Sequence, residues 1–388
     1  MYKKNIRLLK IFNFLIGFSL FAPLAIIYFS KVSGSYALGA SIFGINALAS
    51  ALFEVPTGVW SDRMGRRGTI IMGSWARVTA FVLYAIGLSY WWLVVGAILE
   101  GLSRSLYSGN NDAFLHDTLA DDGMEEEYDE YLGKTSSTEQ LALGLSGVLG
   151  AIIGNFSFLY LMWLSVIAQV YMLYISYQFI EPKTRAIRNS NIYSHVREAI
   201  KLFITNKKLR LLSMSSFLGF GLGETSYQFR SAFISTLWPI WAIGLTSLIT
   251  NVSASISFWY SGKLVRRFNE FKILLFGSVY GKVISLVAYA VPTILSPLLL
   301  TTMGLLYGVT EVSKNKLMQL EFTDHQRATM SSLNSLFGNV TFSIIFIVLG
   351  IFADSIGPAK ALILLTLASI STTYIYYLLF KNDDKIKA

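Results

Sequence analysis

Charged side chains set inside apolar stretches are the residues of this chain best placed to do chemistry. Glu100 and Arg104 stand four apart in one stretch, and Arg77 lies in the stretch before it. Glu224, Lys282 and Glu311 lie in three later stretches. An ionisable group at the middle of a lipid-spanning helix costs ~2.5–3.5 kcal/mol even on the lenient insertion scale, so each must face a cavity or a partner. Four-residue spacing puts Glu100 and Arg104 on one helix face, where they can pair. Glu224 follows Gly219, Gly221 and Gly223, a run that loosens the helix beside a carboxylate. Carboxyl groups removed from water can load and release protons near neutral pH. Glu224, Glu100 and Glu311 are the candidates for that role, in that order. The competing reading of each is a buried ion pair that only fixes packing.

Other chemistry is excluded by what is missing. With no cysteine, disulfides, thiolate metal sites and cysteine nucleophiles are ruled out. His116, His195 and His325 all fall in polar connections, so no histidine metal cluster is expected in the apolar part. Neither H-E-x-x-H nor G-x-S-x-G occurs, and no strand precedes the glycine run before Glu224, so it is not a dinucleotide loop. The chain reads as a non-enzyme without a bound cofactor.

The elements that must position these charges are membrane helices. Only 14% of the 388 residues are charged, 54% are hydrophobic, and the mean hydropathy is +0.53. A soluble surface needs roughly 25% charge, so lipid is the solvent for most of the chain. Runs long enough to cross ~30 Å of hydrocarbon number about twelve. They fall near 9–29, 36–60, 69–90, 91–115, 135–156, 158–180, 209–231, 238–260, 272–291, 294–317, 329–352 and 359–380. The net charge of +9 could suggest nucleic acid, but the basic residues sit in short clusters between these runs. Placing both termini in the cytoplasm puts Lys3, Lys4, Arg7, Lys10, Arg63, Arg66, Arg67 and most later cations on one side. Cysteines introduced as Glu125→Cys and His195→Cys are therefore expected to react with impermeant reagent only from the cytoplasm. Labelling of either from outside intact cells would reverse the orientation.

The expected organisation is an N-terminal six-helix half over 1–181, a cytoplasmic amphipathic linker over 182–208, and a C-terminal six-helix half over 209–388. In the linker Ile192, Val196, Ala199, Ile200 and Phe203 recur at helical spacing. The acidic 117–134 segment reads as a solvated loop. An offset of about 204 residues places Gly58 on Gly262, Arg63 on Arg267, Asn111 on Asn315 and Asp117 on Glu321. The fold class is thus all-α integral membrane, with twelve transmembrane helices in two halves related by pseudo-two-fold symmetry. Such halves form a transporter architecture with the substrate site between them.

Between the second and third runs the chain reads Gly58-Val-Trp-Ser-Asp62-Arg63-Met-Gly65-Arg66-Arg67. This resembles, without a mismatch, the G-x-x-x-D-R-x-G-R-R cytoplasmic loop of the major facilitator superfamily. The Glu54-Val-Pro56-Thr57 and Ser108–Leu119 segments are similar to bacterial, drug-efflux-like members. The resemblance implies a gate of Gly58, Asp62, Arg63, Gly65, Arg66, Arg67 and Asp117. In it Asp62 faces the N-terminal end of the eleventh helix, and Arg66 or Arg67 pairs with Asp117. Gly58 would allow close helix approach and Gly65 a tight turn. The second-half copy keeps Gly262, Leu264 and Arg267 but has Arg266 and Asn269 where an acid and a glycine are expected. The fifth helix carries Gly144, Gly147, Gly150 and Gly154 but not the proline common in exporters of the superfamily.

The function expected is secondary transport of a small organic solute by alternating access in the cell (inner) membrane, as proton-coupled efflux. Proton-coupled uptake is the alternative, and a transport-dead receptor or a membrane enzyme is more remote. The partners expected are the solute and the lipid bilayer, without nucleic acid or an obligate protein partner.

Overall fold

The computed structural model describes residues 2–183, 203, 206–320 and 324–384, and contains no strand among them. Two compact units emerge: Met1–Asn189 with Pro239–Gly244, and Ser190–Trp238 with Leu245–Ala388. Of the expected linker, residues 184–202, 204 and 205, His195 among them, lie outside the described residues.

In the first unit the six spans are built as follows. Helices α1 (Tyr2–Gly17) and α2 (Ala25–Ser33) share the first span, and α3 (Tyr36–Met64) is the second. Next come α4 (Arg66–Ile86), the pair α5 (Tyr90–Tyr107) and α6 (Asn110–Ala120), then α7 (Tyr128–Phe156) and α8 (Phe158–Tyr177). The second unit has α9 (Lys207–Ile234), α10 (Ile240–Arg267) and α11 (Glu270–Ala290). It continues with the pair α12 (Ser296–Thr301) and α13 (Gly304–Leu320), then α14 (Asp324–Ile356), and the pair α15 (Pro358–Ala368) and α16 (Ile370–Asp384).

The same helix pairs pack within each unit. The first span packs on the fifth (α1 on α7) as the seventh does on the eleventh (α9 on α14). The third meets the fourth and sixth (α4 on α5 and α8) as the ninth meets the tenth and twelfth (α11 on α13 and α15). Gly101 of α5 lies against the Asn46 carbonyl of α3, and Gly308 of α13 against the backbone of Phe258 in α10. The apolar core repeats too. One cluster joins Leu9, Phe12, Ile70, Phe114, Met172 and Phe179, and the other Leu212, Phe271, Leu274, Leu317, Ile375 and Leu379. In both, the first, third, fourth and sixth spans of the unit contribute. Edge-on aromatic contacts of Phe179 with Phe12 (5.5 Å) and Phe114 (4.8 Å) tie three spans together in the first unit.

Nine segments of the described residues are long and apolar enough to cross a membrane. Absent from that set are α5, α9 and α13, the helices that carry Glu100 with Arg104, Glu224 with Arg230, and Glu311 with Lys314.

Several spans expected as continuous helices are interrupted. The first breaks at 18–21, where a Cβ added to Gly150 of α7 would collide with the Leu20 carbonyl. The carbonyls freed by the break are satisfied by remote side chains. Leu15 accepts from Gln169 at 3.4 Å, Ile16 from Arg77 at 2.8 Å, and Gly17 from Ser146 at 3.4 Å. Irregular backbone survives at membrane depth only when it is satisfied in this way. The fourth span breaks at Ser108–Gly109, where Gly109 has φ +68°; the tenth turns at Thr302–Met303 and the twelfth at Ser369. The acidic segment is shorter as a loop than expected, because α7 already begins at Tyr128. Glu125, Glu126 and Glu127 sit just ahead of that start, where the helix dipole favours negative charge.

Candidate functional site

The loop between the second and third spans is held by a closed set of polar contacts inside the first unit. Gly65 ends α3 and precedes α4 with φ +86° and ψ +164°, a conformation essentially reserved to glycine. That turn aims the Arg66 guanidinium at Asp117 of α6, Nε to Oδ2 3.1 Å, with the two side chains 14% and 2% exposed. A second Arg66 nitrogen donates to Ser61 Oγ at 3.0 Å, and Ser61 donates to Asn110 Oδ1 at 2.6 Å. Asn110 closes the ring by donating to the Arg66 carbonyl at 3.1 Å. His116 Nδ1 lies 3.6 Å from the other Asp117 oxygen. Of the two arginines that could pair with Asp117, Arg66 does so; Arg67 donates to the Tyr177 carbonyl at the end of α8, 3.0 Å. The side chains of Asp62 and Arg63 lie outside the described residues, as do those of the first turns of α14. A Cβ at Gly58 would meet no atom within 4 Å among the described residues, so no close helix approach is seen there.

Sequence reading missed Glu181. Its two carboxylate oxygens accept from the backbone N–H groups of Arg66 and Arg67, each at 2.8 Å. These are two of the four orphan donors of α4, capped by a residue 115 positions away rather than by a local side chain. The flanking chain is fixed as well: Asn5 exchanges hydrogen bonds with Ile180 (2.9 and 3.0 Å), and Lys183 N–H donates to Asp121 at 2.8 Å. Pro182, which cannot continue a helix, is the local signal that α8 stops and leaves Glu181 available. Glu181→Ala is expected to lower stability by about 2 kcal/mol, because two charge-assisted caps are lost. Unfolding midpoints of the purified variant and parent check this; equal midpoints would show the cap to be inert.

The second unit has a counterpart of opposite polarity. Glu270, at the start of α11, pairs with Lys316 of α13, where the first unit has Arg66 and Asp117. Asn269 caps α11 itself, accepting from Phe271 N–H at 2.9 Å.

The charges at membrane depth separate into three kinds. Arg77 is buried (6% exposed), donates to Gln169 at 2.9 Å and to the Ile16 carbonyl, and lies 5.1 Å from the Phe81 ring centre. It staples the break in the first span. Glu100 accepts from Tyr84 (2.9 Å) and Arg104 (3.3 Å), and Glu311 accepts from Lys314 (2.7 Å), so both acids have cations. Arg104 keeps 59% of its side chain exposed. Glu224 accepts from the amide of Gln228 at 2.7 Å and makes no ion pair among the described residues. Lys282 is held by hydroxyls, Ser278 Oγ at 2.6 Å and Thr372 Oγ1 at 3.3 Å, and so packs α11 on α16. No cluster of three or more metal-ligating side chains exists among the described residues.

The Major Facilitator Superfamily profile matches residues 8–346. The uncharacterized transporter BU466 of Buchnera aphidicola is 23% identical over 195 residues, spanning 50% of this chain and 48% of the relative. The inner membrane transport protein YajR of Escherichia coli is 32% identical over 88 residues, 22% of this chain and 19% of that one. The uncharacterized transporter YxaM of Bacillus subtilis is 19% identical over 96% of this chain and 95% of its own. Thus the chain spans about half or less of the first two and nearly all of the third. Among solved structures, the nucleoside transporter NupG superposes with a TM-score of 0.82 at 12% identity, covering 98% of this chain and 99% of the other. A bacterial homologue of the lysosomal transporter Spinster gives 0.75 at 12% identity over 97% and 95%. At such identities the likeness is one of fold.

Proposed function

Since the chain belongs to the major facilitator superfamily, we propose that it exports a small organic solute in exchange for protons, by alternating access. The observation that carries the coupling half of this reading is the Glu224 carboxylate, bonded to a neutral amide instead of a cation. A carboxylate whose charge is not cancelled by a fixed cation can change protonation without breaking an ion pair, whereas Glu100 and Glu311 would have to break one. Gly221 and Gly223 beside it lower the cost of bending α9 as access changes side. Arg66, Asp117, Ser61, Asn110 and Glu181 tie the motif loop to α6 and to the chain after α8. The gate function of Gly58, Asp62, Arg63, Gly65, Arg66, Arg67 and Asp117 is part of the proposal. So are the placement in the cell (inner) membrane with both termini cytoplasmic, and the proton gradient as energy source. Export rests on the drug-efflux-like segments around Pro56 and Gly109.

Reconstituted protein tests the reading directly. A panel of cationic, zwitterionic and anionic solutes is loaded into proteoliposomes, and flux is measured with and without a pH gradient. At least one solute is expected to move faster against an inward proton gradient. Flux of every transported solute unaffected by the gradient would refute proton coupling.

A further inference from the structure

The end of the first unit that carries the motif loop holds a second polar feature, separate from the gate. A concavity of about 250 Å³ opens between α1 and α7, lined by Lys3, Ile6, Arg7, Lys10 and Tyr131. The three cations follow at i, i+4 and i+7 on α1, which places them on one face along about 10 Å of helix. No carboxylate lines the space, and none of the three forms an ion pair among the described residues. Glu130, one residue from Tyr131, is already paired with Lys134. The floor is apolar: Ile6 is 5% exposed and belongs to the core. The walls are fixed, because Asn5 is tied to Ile180 and Thr138 of α7 donates to the Lys10 carbonyl at 3.1 Å.

We propose that this concavity binds the headgroup of an anionic phospholipid. Three cations spread over about 10 Å cover the thickness of one headgroup layer, roughly 5–8 Å on each side of the hydrocarbon. The first membrane-crossing segment begins at Lys3, so Lys3, Arg7 and Lys10 descend from water toward the lipid glycerol level. The phosphate accepts from Arg7 and Lys10, and the Tyr131 hydroxyl donates to a headgroup oxygen. A lipid rather than a free anion is indicated by the placement of the three cations at the head of the first membrane-crossing segment, where phospholipid headgroups lie.

The test uses the full-length protein purified in a neutral detergent, with thermal unfolding followed as phosphatidylglycerol or phosphatidylcholine is added. Phosphatidylglycerol is expected to stabilise at a concentration more than tenfold lower than phosphatidylcholine. In Arg7→Gln/Lys10→Gln the phosphatidylglycerol half-point should rise more than tenfold, near fivefold per cation. A control of equal charge loss, Lys272→Gln/Lys381→Gln, should leave it unchanged. Should the double variant fail to fold, Lys10→Gln alone is expected to shift the half-point about fivefold. Equal response to the two lipids, or equal half-points in the site and control variants, would overturn the proposal. Stabilisation by millimolar inorganic phosphate as large as that by phosphatidylglycerol would overturn the lipid assignment and leave a free-anion site.

Discussion

Asp117→Asn is expected to destabilise the protein by about 3 kcal/mol and to reduce transport more than tenfold. The substitution keeps the shape and removes the charge. The charge-assisted contact of a guanidinium only 14% exposed would be lost, while Ser61 and Asn110 are already committed, Ser61 to Asn110 and Asn110 to the Arg66 carbonyl. One-sided removal of a buried pair is costly where replacement of both partners need not be. The mirror-polarity pair in the second unit sets the scale. Glu270 and Lys316 are 19% and 49% exposed, so Lys316→Gln should change stability by less than about 1 kcal/mol. Unfolding of both variants in the same detergent, with flux measured in parallel, checks the ranking. An Asp117→Asn protein as stable and active as the parent would show the Arg66 network to be dispensable.

Glu224→Gln is expected to abolish gradient-driven flux while leaving solute exchange intact. Glutamine keeps the volume and the hydrogen bond with Gln228 but cannot carry a proton across. Exchange of internal for external solute needs no net proton movement, so it survives if the fold does. If Glu224 merely holds α9 in place, the variant instead loses stability and its residual transport still follows the pH gradient. Glu100→Gln offers the contrast. It strips the carboxylate from Tyr84 and Arg104 and should weaken exchange as well.

The spans were legible because a hydrocarbon slab forces about twenty apolar residues into each, and that length shows in any hydropathy reading. Interruptions of those spans were not. Phe18-Ser19-Leu20-Phe21 is as apolar as the helices around it, and what opens it is the close fit of Gly150 together with Gln169, Arg77 and Ser146, all far along the chain. The Arg66–Asp117 pairing could be anticipated because the motif fixes one partner and the end of the fourth span supplies the other. Glu181 could not, since Pro182 marks only where helix must stop, and nothing local marks the residue before it as the cap of a helix 115 positions earlier. Lys282 and Arg77 show the limit of reading charge at depth. Each is a cation in an apolar run, yet hydroxyls hold one and a freed carbonyl the other, and sequence spacing does not distinguish these roles from a cavity.

Coupling is tested most directly by imposing a gradient of a transported solute on proteoliposomes with no initial pH difference and recording the internal pH. Exchange of solute for protons predicts that solute leaving the vesicle acidifies the interior, and that Glu224→Gln removes the pH change while solute exchange continues. Solute efflux with a constant internal pH, or an unchanged proton signal in Glu224→Gln, would contradict it.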